Sequence, residues 1–227
     1  MAPISSRADP RRLISPLEVV LSAIATKPAK RGSTRTSMLV SAAEVLRERG
    51  AAGVTIDEVL ARSGAPRGSV YHHFPEGRNQ ILSEALQYAG EAITDVIDEA
   101  AVNGGLYLVR KFVVFWEELL VESDFAAGCP VVAAAIGSAD EEPQLTTVAG
   151  RIFSHWRDAL TRAFTSDGFK DCDAASLATM CIASLEGAVV LCRSTRSVDA
   201  LRDVAAQLEF LIKSREFVQR YGVPTTA

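Results

Sequence analysis

The sequence predicts an all-α protein in which a small N-terminal helix-turn-helix unit precedes a larger helical part. Apolar residues make up 48% of the 227 residues, which is enough to build a sizeable core. The alternation of apolar and polar residues that marks a strand is almost absent, whereas apolar residues recur at helical spacing. Proline and glycine are sparse after residue 82 apart from a few clusters, so long helices are expected there.

Charge is distributed unevenly along the chain. Residues 1–82 carry 12 Lys or Arg and 7 Asp or Glu, a net charge of +5, whereas residues 83–227 carry 12 and 21, a net charge of −9. This asymmetry suggests that the N-terminal part meets a polyanion while the remainder has another task. Chance clustering of surface charge would give the same pattern, so charge alone does not decide between the two interpretations.

Residues 1–32 are expected to form a mostly flexible extension that ends in the basic linker TKPAKRG. Two arginines followed by the stretch LISPLEVVLSAIA resemble a signal peptide, but Glu18 interrupts the apolar run. Ser15 and Pro16 also fit the start of a short soluble helix. We therefore reject the signal peptide and expect a cytoplasmic protein.

Three short helices are predicted in quick succession within residues 33–80. A glycine ends the first helix, a Thr-Ile-Asp-Glu capping box begins the second, and a proline begins the third. The three helices cover, in order, about residues 34–48, 55–63 and 66–74. The second and third, joined by a short turn, form a helix-turn-helix.

Six further helices are predicted in the larger part, residues 81–221. They cover about residues 78–101, 106–123, 131–138, 142–165, 174–193 and 198–220. The second of these is apolar nearly all round, which is typical of a central buried helix. No internal repeat is visible in the sequence.

The third short helix carries polar side chains opposite its apolar anchors. On a helical wheel Val70 and Phe74 fall on one face, which can plug into a small core. The opposite face and its flanks carry Arg67, Gly68, Ser69, Tyr71, His72 and His73. Glycine lets the backbone approach closely, and the polar side chains can reach base edges or phosphates, so this face suits the major groove of DNA.

Three more residues extend this predicted DNA surface. The amide groups at the helix start that Thr55 caps can hold a phosphate. Arg35 and Arg78, at the starts of the neighbouring helices, offer further cations. Because many proteins that do not bind DNA contain a helix-turn-helix, the pattern by itself favours DNA binding only slightly.

The stretch from Thr55 to Leu82, TIDEVLARSGAPRGSVYHHFPEGRNQIL, resembles the DNA-binding head of the TetR/AcrR family of bacterial repressors. The positions that match the family pattern are Thr55, Val59, Gly64, Gly68, Ser69, Val70, Tyr71, His73, Phe74 and Arg78. Pro66 and Leu60 replace a usual serine and a usual alanine. The resemblance implies a homodimer that places two such helices in successive major grooves of a pseudo-palindromic operator.

A looser likeness extends over most of the chain. The segments APRGSVYHHFPEGRNQIL, GCPVVAAAIGSADEEPQL and SLEGAVVLCR resemble those of LmrA/YxaF-type repressors. This resemblance implies control of multidrug-efflux or related genes, with release from DNA when a small hydrophobic or aromatic effector binds.

Aromatic residues gather on two of the predicted long helices. They are Phe112, Phe115 and Trp116 on one helix, and Phe153 and Trp156 on the other. Most such stripes are plain core, and the residues alone favour that interpretation. The alternative interpretation is a cavity for an apolar or aromatic ligand, to which Ile136 and Met180 would also contribute. The family resemblance implies a ligand pocket in this part of the chain, but not these particular wall residues.

The last two helices carry surfaces suited to a contact between two chains. Small residues that allow close approach are Ala183, Ser184, Gly187 and Ala188. An apolar stripe on the following helix comprises Leu201, Val204, Leu208 and Leu211. In the family that the chain resembles, this helix pair forms a four-helix bundle with its copy, so we assign these residues to the dimer interface.

A single acidic residue lies within the longest apolar run of the chain, residues 177–192. Glu186 breaks this run, so no membrane span is expected there. Its carboxylate is either paired in the dimer interface, the role that we favour from the sequence, or a polar anchor in the ligand pocket.

The sequence holds no arrangement typical of an enzyme, and we predict no cofactor and no metal. Paired carboxylates, a nucleophile with its base and a phosphate-binding loop are not found, and the three histidines have no metal-ligand spacing. The four cysteines lack a C-x-x-C spacing and are expected to be reduced thiols. Two alternatives stay open: an interaction protein of the same fold without a specific operator, and a cysteine-based redox-responsive regulator.

Overall fold

The computed structural model describes residues 34–137 and 142–222. These residues form nine α-helices and contain no strand, so the predicted all-α class is confirmed. The helices are α1 (Thr34–Gly53), α2 (Ile56–Ser63), α3 (Val70–His73), α4 (Arg78–Ala101), α5 (Gly105–Glu122), α6 (Pro130–Gly137), α7 (Pro143–Ser166), α8 (Asp171–Thr195) and α9 (Asp199–Tyr221). A short 3-10 turn, Arg67–Ser69, leads into α3. The predicted extension, residues 1–32, lies outside the described residues.

The helix boundaries of the N-terminal head, helices α1 to α3, follow the predicted signals. Regular geometry in α1 breaks at Gly50, whose φ of 72° is accessible to glycine at little cost. Thr55 caps α2 by accepting a hydrogen bond from the Glu58 amide at 3.1 Å. Gly64 ends α2 in a left-handed conformation with φ of 65°.

A small apolar core holds the head together. Val70 of α3 and Phe74, the residue that follows this helix, are fully buried, as are Leu46 of α1 and Val59 of α2. Because α3 has only four residues, it is too short to be stable alone, and these buried contacts hold it in place.

The larger part is a layered helical bundle. Helix α4 packs against α1 on one side and α7 on another, and α8 packs between α7 and α9. Helix α5 contacts α4, α7, α8 and α9, and its residues Phe112, Phe115 and Trp116 are buried, as expected for a central helix. At Gly90 an added Cβ would lie 2.4 Å from Ile152 Cδ1, so α4 and α7 cross closely at this point.

Within the described residues, α8 alone has the length and apolar composition of a membrane span. Core helices of soluble proteins have the same properties, and α8 packs against both neighbours in the bundle. Its buried face includes Leu177, Cys181 and Leu185. The packing therefore agrees with a core helix.

Candidate nucleic-acid interface and internal cavity

The segment from Arg67 to His73 exposes polar side chains and is anchored in the head by a buried apolar residue. The Arg67 side chain is 79% exposed and Tyr71 is 64% exposed, and both Gly68 and His72 are exposed as well. Val70, within the same turn, is fully buried and fixes the orientation of these side chains. The predicted outward and inward faces of this helix are therefore both present.

The other polar residues of the segment are partly covered. Ser69 donates its hydroxyl hydrogen to the Pro66 carbonyl oxygen at 2.6 Å, and is half-buried. The half-buried His73 ring packs against the His72 ring, with centroids 4.9 Å apart. These contacts order the surface before any partner binds.

Arg67 forms an ion pair with Asp57, whose side chain is also exposed. An ion pair between two exposed side chains contributes little to folding stability. The guanidinium can therefore leave Asp57 for a phosphate or a guanine at small cost.

Two of the predicted DNA-binding arginines have partners inside the protein. Arg78 donates from Nε to the Val54 carbonyl oxygen at 2.7 Å and from Nη2 to the Ala51 carbonyl oxygen at 2.8 Å. It also forms an ion pair with the buried carboxylate of Glu142. The structure thus corrects the expectation that Arg78 offers a free cation, because its donors already bind the protein.

The Arg35 guanidinium is partly engaged within the protein and partly open to solvent. Its guanidinium forms an ion pair with Glu84 and lies over the Phe74 ring, 4.9 Å from the centroid. The side chain is partly exposed, so one side of the guanidinium still faces solvent. The pairing with Glu84 offsets much of the positive charge that the sequence suggested here.

The head is joined to the larger part through the carbonyl groups near the end of α1. These carbonyls belong to the last regular turn of α1, just before the break at Gly50. The Arg47 carbonyl accepts from the Gly128 amide at 3.1 Å and from Arg193 Nη1 at 3.3 Å. Arg193 also donates to the Glu48 carbonyl. This contact was not predicted from the sequence, although a basic residue in the last turn of a helix was the available signal.

A groove of about 310 Å³ opens between α7 and α8. It is lined by Phe153, Ser154, Arg157, Thr179, Ile182, Ala183 and Glu186. Beneath it lies an inner void of about 20 Å³, whose walls include Phe112 and Trp156. Ile182 and Glu186 line both spaces, so they stand at the junction between them.

Both carboxylate oxygens of Glu186 are buried and, within residues 34–137 and 142–222, have no regular hydrogen-bond partner. Burial raises the pKa of this carboxyl to about 7, and the neighbouring Cys129 thiol offsets only part of that effect. Glu186 is therefore an internal residue of the larger part. Of the two roles left open by the sequence, the position favours a polar anchor in the cavity.

The structure distributes the predicted pocket residues over different places. Phe112, Phe153 and Trp156 line the groove or the void. Phe115 and Trp116 line a separate space of about 30 Å³ at the junction with α1. Ile136 is 76% exposed and Met180 is 48% exposed, so both lie on the surface of the chain. The void also has walls that were not predicted, among them Ile97 and Leu108.

The predicted dimer residues fall on two different sides of their helices. Ala183 and Gly187 are exposed, and Ser184 and Leu211 are half-buried. In contrast, Ala188, Leu201 and Leu208 are buried within the chain's own core, which corrects their assignment to a surface between two chains.

A different apolar surface is exposed on α8 and α9, and we call it the α8–α9 face. Its large exposed residues are Met180, Val190, Leu191, Phe210, Phe217 and Tyr221. On α9 the three aromatic residues recur at intervals of seven and four, so they share one side of the helix. Phe217 and Tyr221 pack together with ring centroids 4.9 Å apart.

Three of the four cysteines are buried, and Cys172 is exposed. Burial raises the pKa of the Cys181 thiol to about 12 and also raises that of Cys129. Since the thiolate is the reactive form, these two thiols are poor candidates for a redox response.

Comparison with known proteins decides which family this arrangement represents. The model of bacterial regulatory proteins of the tetR family matches residues 38–85, and that of the LmrA/YxaF-like transcriptional regulator C-terminal domain matches residues 106–207. An HTH-type transcriptional regulator of Mycobacterium tuberculosis is 40% identical over 183 residues, covering 78% of this chain and 93% of that protein. The chain belongs to the TetR family of bacterial transcriptional regulators. The resemblance predicted from the head and from the LmrA/YxaF-like segments is thereby confirmed.

Other relatives agree with this TetR-family membership. The HTH-type regulators YxaF and LmrA of Bacillus subtilis are each 25% identical, covering 82% and 80% of this chain and 98% of either relative. The crystal structure of a TetR regulatory protein from Rhodobacter sphaeroides aligns with a TM-score of 0.72 at 20% identity, covering 78% of this chain and 97% of that one. Members of the TetR family are DNA-binding regulators that act as dimers, and they are not enzymes.

Proposed function

We propose that the chain is a homodimeric, cytoplasmic repressor that leaves its operator when a small hydrophobic or aromatic compound binds the larger part. The observation that carries this proposal is the exposed polar surface from Arg67 to His73, anchored by buried Val70 and Phe74. Such a surface can enter a major groove without rearrangement of the head. As the resemblance to LmrA/YxaF-type repressors implies, the regulated genes would be efflux or related genes.

Within this proposal, residues 33–80 bind DNA and residues 81–221 bind the effector and the second chain. The base contacts would come from Arg67, Ser69 and His72, with Tyr71 and His73 on phosphates. The capped start of α2, at Thr55, would hold a further phosphate. Two copies would bind the half-sites of a pseudo-palindrome.

The α8–α9 face supports the homodimer. A protein that stays monomeric seldom exposes many large apolar side chains on one continuous helical surface. Pairing this face with its copy would bury Phe210, Phe217 and Tyr221 in a four-helix bundle. Ala183 and Gly187 would let the two copies of α8 approach closely.

The ligand response would be a shift between two populations of the dimer. Effector bound between α7 and α8 would favour a state in which the recognition helices no longer match successive grooves. Arg193, on α8, holds the end of α1 and offers a direct mechanical connection to the head.

Fluorescence anisotropy on labelled duplex DNA from upstream of the protein's own gene tests the proposal. We expect tight binding that falls steeply with salt and a large preference over a scrambled duplex. Tyr71→Ala should weaken binding while sedimentation shows an unchanged dimer.

Equal, weak binding to both duplexes at every salt concentration would speak against an operator at this gene. A genome-wide binding selection would then follow. If that also returned no preferred sequence, the chain would be an interaction protein that keeps the fold without an operator.

A further inference from the structure

Glu186 is an acidic side chain in a place where proteins rarely keep one. It is buried on α8, and among the described residues the only polar group beside its carboxylate is the Cys129 thiol, a weak donor that leaves both oxygens without a regular hydrogen bond. Leaving a buried acceptor unsatisfied costs about 1–3 kcal/mol, and more when the group is charged. A residue whose burial costs this much calls for a partner outside the described chain.

The position of the carboxyl indicates where that partner would lie. Glu186 lines both the groove between α7 and α8 and the void beneath it. Ile182, one helical turn before it, lines both as well. The groove offers about 310 Å³, enough for a small ring system, whereas the void of about 20 Å³ holds little more than one water molecule.

The walls around the carboxyl are apolar and aromatic. Phe112 and Trp156 line the void together with Glu186. Phe153 lines the groove and packs edge-on against Trp156, with ring centroids 5.4 Å apart. Aromatic faces attract cations, and a carboxylate adds a full negative charge. In the described part of the chain, the void is lined by no basic side chain.

Among the described residues, a basic side chain lines the groove but none lines the void. Arg157 lines the groove, is half-exposed, and pairs with Asp158 at 3.0 Å. Its charge is therefore both hydrated and partly neutralised, and Glu186 has no ion-pair partner there.

We propose that Glu186 is the recognition residue for an effector that joins an apolar ring system to a protonated nitrogen. The inference rests on the proposed ligand-responsive function and adds the chemical class of the ligand. The ring system would occupy the groove, and the nitrogen would reach the carboxylate once the Ile182 side chain turned aside. An ammonium group brings up to three donors, which is enough to satisfy both orphan oxygens.

The other ligand classes match the site less well. A neutral hydroxyl brings one donor and no charge, so it would satisfy one oxygen only. An anion would meet a carboxylate with no basic side chain beside it in the void. The raised pKa of Glu186 fits this assignment, because a bound cation would favour the ionised form that burial disfavours.

Three probes with one shared ring system test the proposal: 1-naphthylmethylammonium, 1-naphthylmethanol and 1-naphthoate. Their dissociation constants would be measured by isothermal titration calorimetry on the full-length protein at pH 8. We expect the cation to bind about tenfold or more tightly than the alcohol, since hydrogen bonds to charged groups contribute about 1.5–3 kcal/mol. The anion should bind most weakly of the three.

Variants assign the preference to one residue. Glu186→Gln should bind the cation and the alcohol equally. Glu186→Asp should keep a reduced preference for the cation, because the negative charge remains but sits on a shorter side chain, farther from the ligand. Glu122→Gln makes the same chemical change on the exposed end of α5 and should keep the wild-type preference. Thermal melts would verify that each variant is folded.

Equal affinity of wild type for cation and alcohol, or a preference that survives in Glu186→Gln, would overturn the proposal. Failure of all three probes to bind would overturn it as well, because the groove accommodates the shared ring. Operator binding by the same preparations would show separately whether the proposed DNA-binding function stands.

Discussion

Two arginines of the head show how position decides the task of a residue. Arg67 is exposed and its ion pair with Asp57 lies in solvent. Arg78 binds two backbone carbonyls and the buried carboxylate of Glu142. The first is free to exchange its partner for DNA, whereas the second is part of the framework.

Substitutions should separate these roles. Arg78→Ala removes two backbone hydrogen bonds and leaves Glu142 buried without its cation, so the free energy of unfolding should fall by about 2–4 kcal/mol. Arg67→Ala should change stability by less than about 1 kcal/mol but weaken operator binding about tenfold. Urea unfolding and operator anisotropy measure the two effects. Equal losses of stability in both variants would contradict this division.

Glu186 should make the stability of the ligand-free protein depend on pH. Its pKa rises from 4.5 to about 7 in the folded chain, so between these values the folded state keeps a proton that the unfolded state has released. Stability should therefore fall as pH rises through this window, by up to roughly 3 kcal/mol.

The other titratable groups that face this carboxyl contribute little to the same window. The Cys129 thiol has a raised pKa and stays neutral, and the exposed guanidinium of Arg157 lies at the groove and pairs with Asp158. Urea titrations at pH 5 and pH 8 should show Glu186→Gln gaining stability relative to wild type as pH rises. A difference between variant and wild type that is the same at both pH values would contradict the assignment.

At the scale of elements, helix boundaries could be read from the sequence but the partner of each face could not. Signals at Thr55, Gly50 and Gly64 act locally: Thr55 and Gly64 mark the two ends of α2, and Gly50 breaks the regular geometry of α1. The Leu201 and Leu208 stripe on α9 was equally visible, but it packs inward on its own chain. Helix α9 has apolar residues on two sides, and periodicity does not say which side meets the core.

The cavity could be predicted only in part, because the sequence does not show which helix faces meet. Aromatic residues of α5 and α7 were recognised, but whether they fill space or surround it depends on how four helices pack. Glu186 was recognised as unusual because a charge interrupts an apolar run. Its surroundings come from α4, α5 and α7, which are remote in sequence.

The α8–α9 face makes a prediction about assembly. Phe217→Glu places a charge on the exposed aromatic stripe, once in each copy, and should weaken dimerisation about 100-fold or more. Sedimentation equilibrium measures this change, and operator binding should fall with it because one head alone contacts a half-site. Val102→Glu alters an exposed apolar residue in the loop between α4 and α5 and should leave the dimer intact. A Phe217→Glu protein that stays dimeric would place the interface elsewhere.

At the scale of the whole molecule, α8 connects the cavity to the head. Glu186 and Arg193 are seven residues apart on this helix, so they lie on the same side at a separation of about 10 Å. The carboxyl lines the cavity, and the guanidinium holds the Arg47 and Glu48 carbonyls at the end of α1. The Gly128 amide binds the same Arg47 carbonyl, and its neighbour Cys129 lies beside Glu186. A shift of α8 at the cavity would therefore reach α1 by two short routes.

Removing one route should weaken the coupling without removing either site. Arg193→Met keeps most of the side-chain length but loses the donors, so 1-naphthylmethylammonium should bind with an affinity within about threefold of wild type. The same compound should then reduce operator affinity less than in wild type, because typical couplings of 1–3 kcal/mol depend on such contacts. Anisotropy titrations with and without saturating compound measure the ratio of operator dissociation constants.

Arg196→Met removes a guanidinium from the same end of α8, where it pairs with exposed Asp124 instead of α1, and should leave the ratio unchanged. An unchanged ratio in Arg193→Met as well would mean that the signal reaches the head through the Gly128 contact alone or through a movement of the whole dimer.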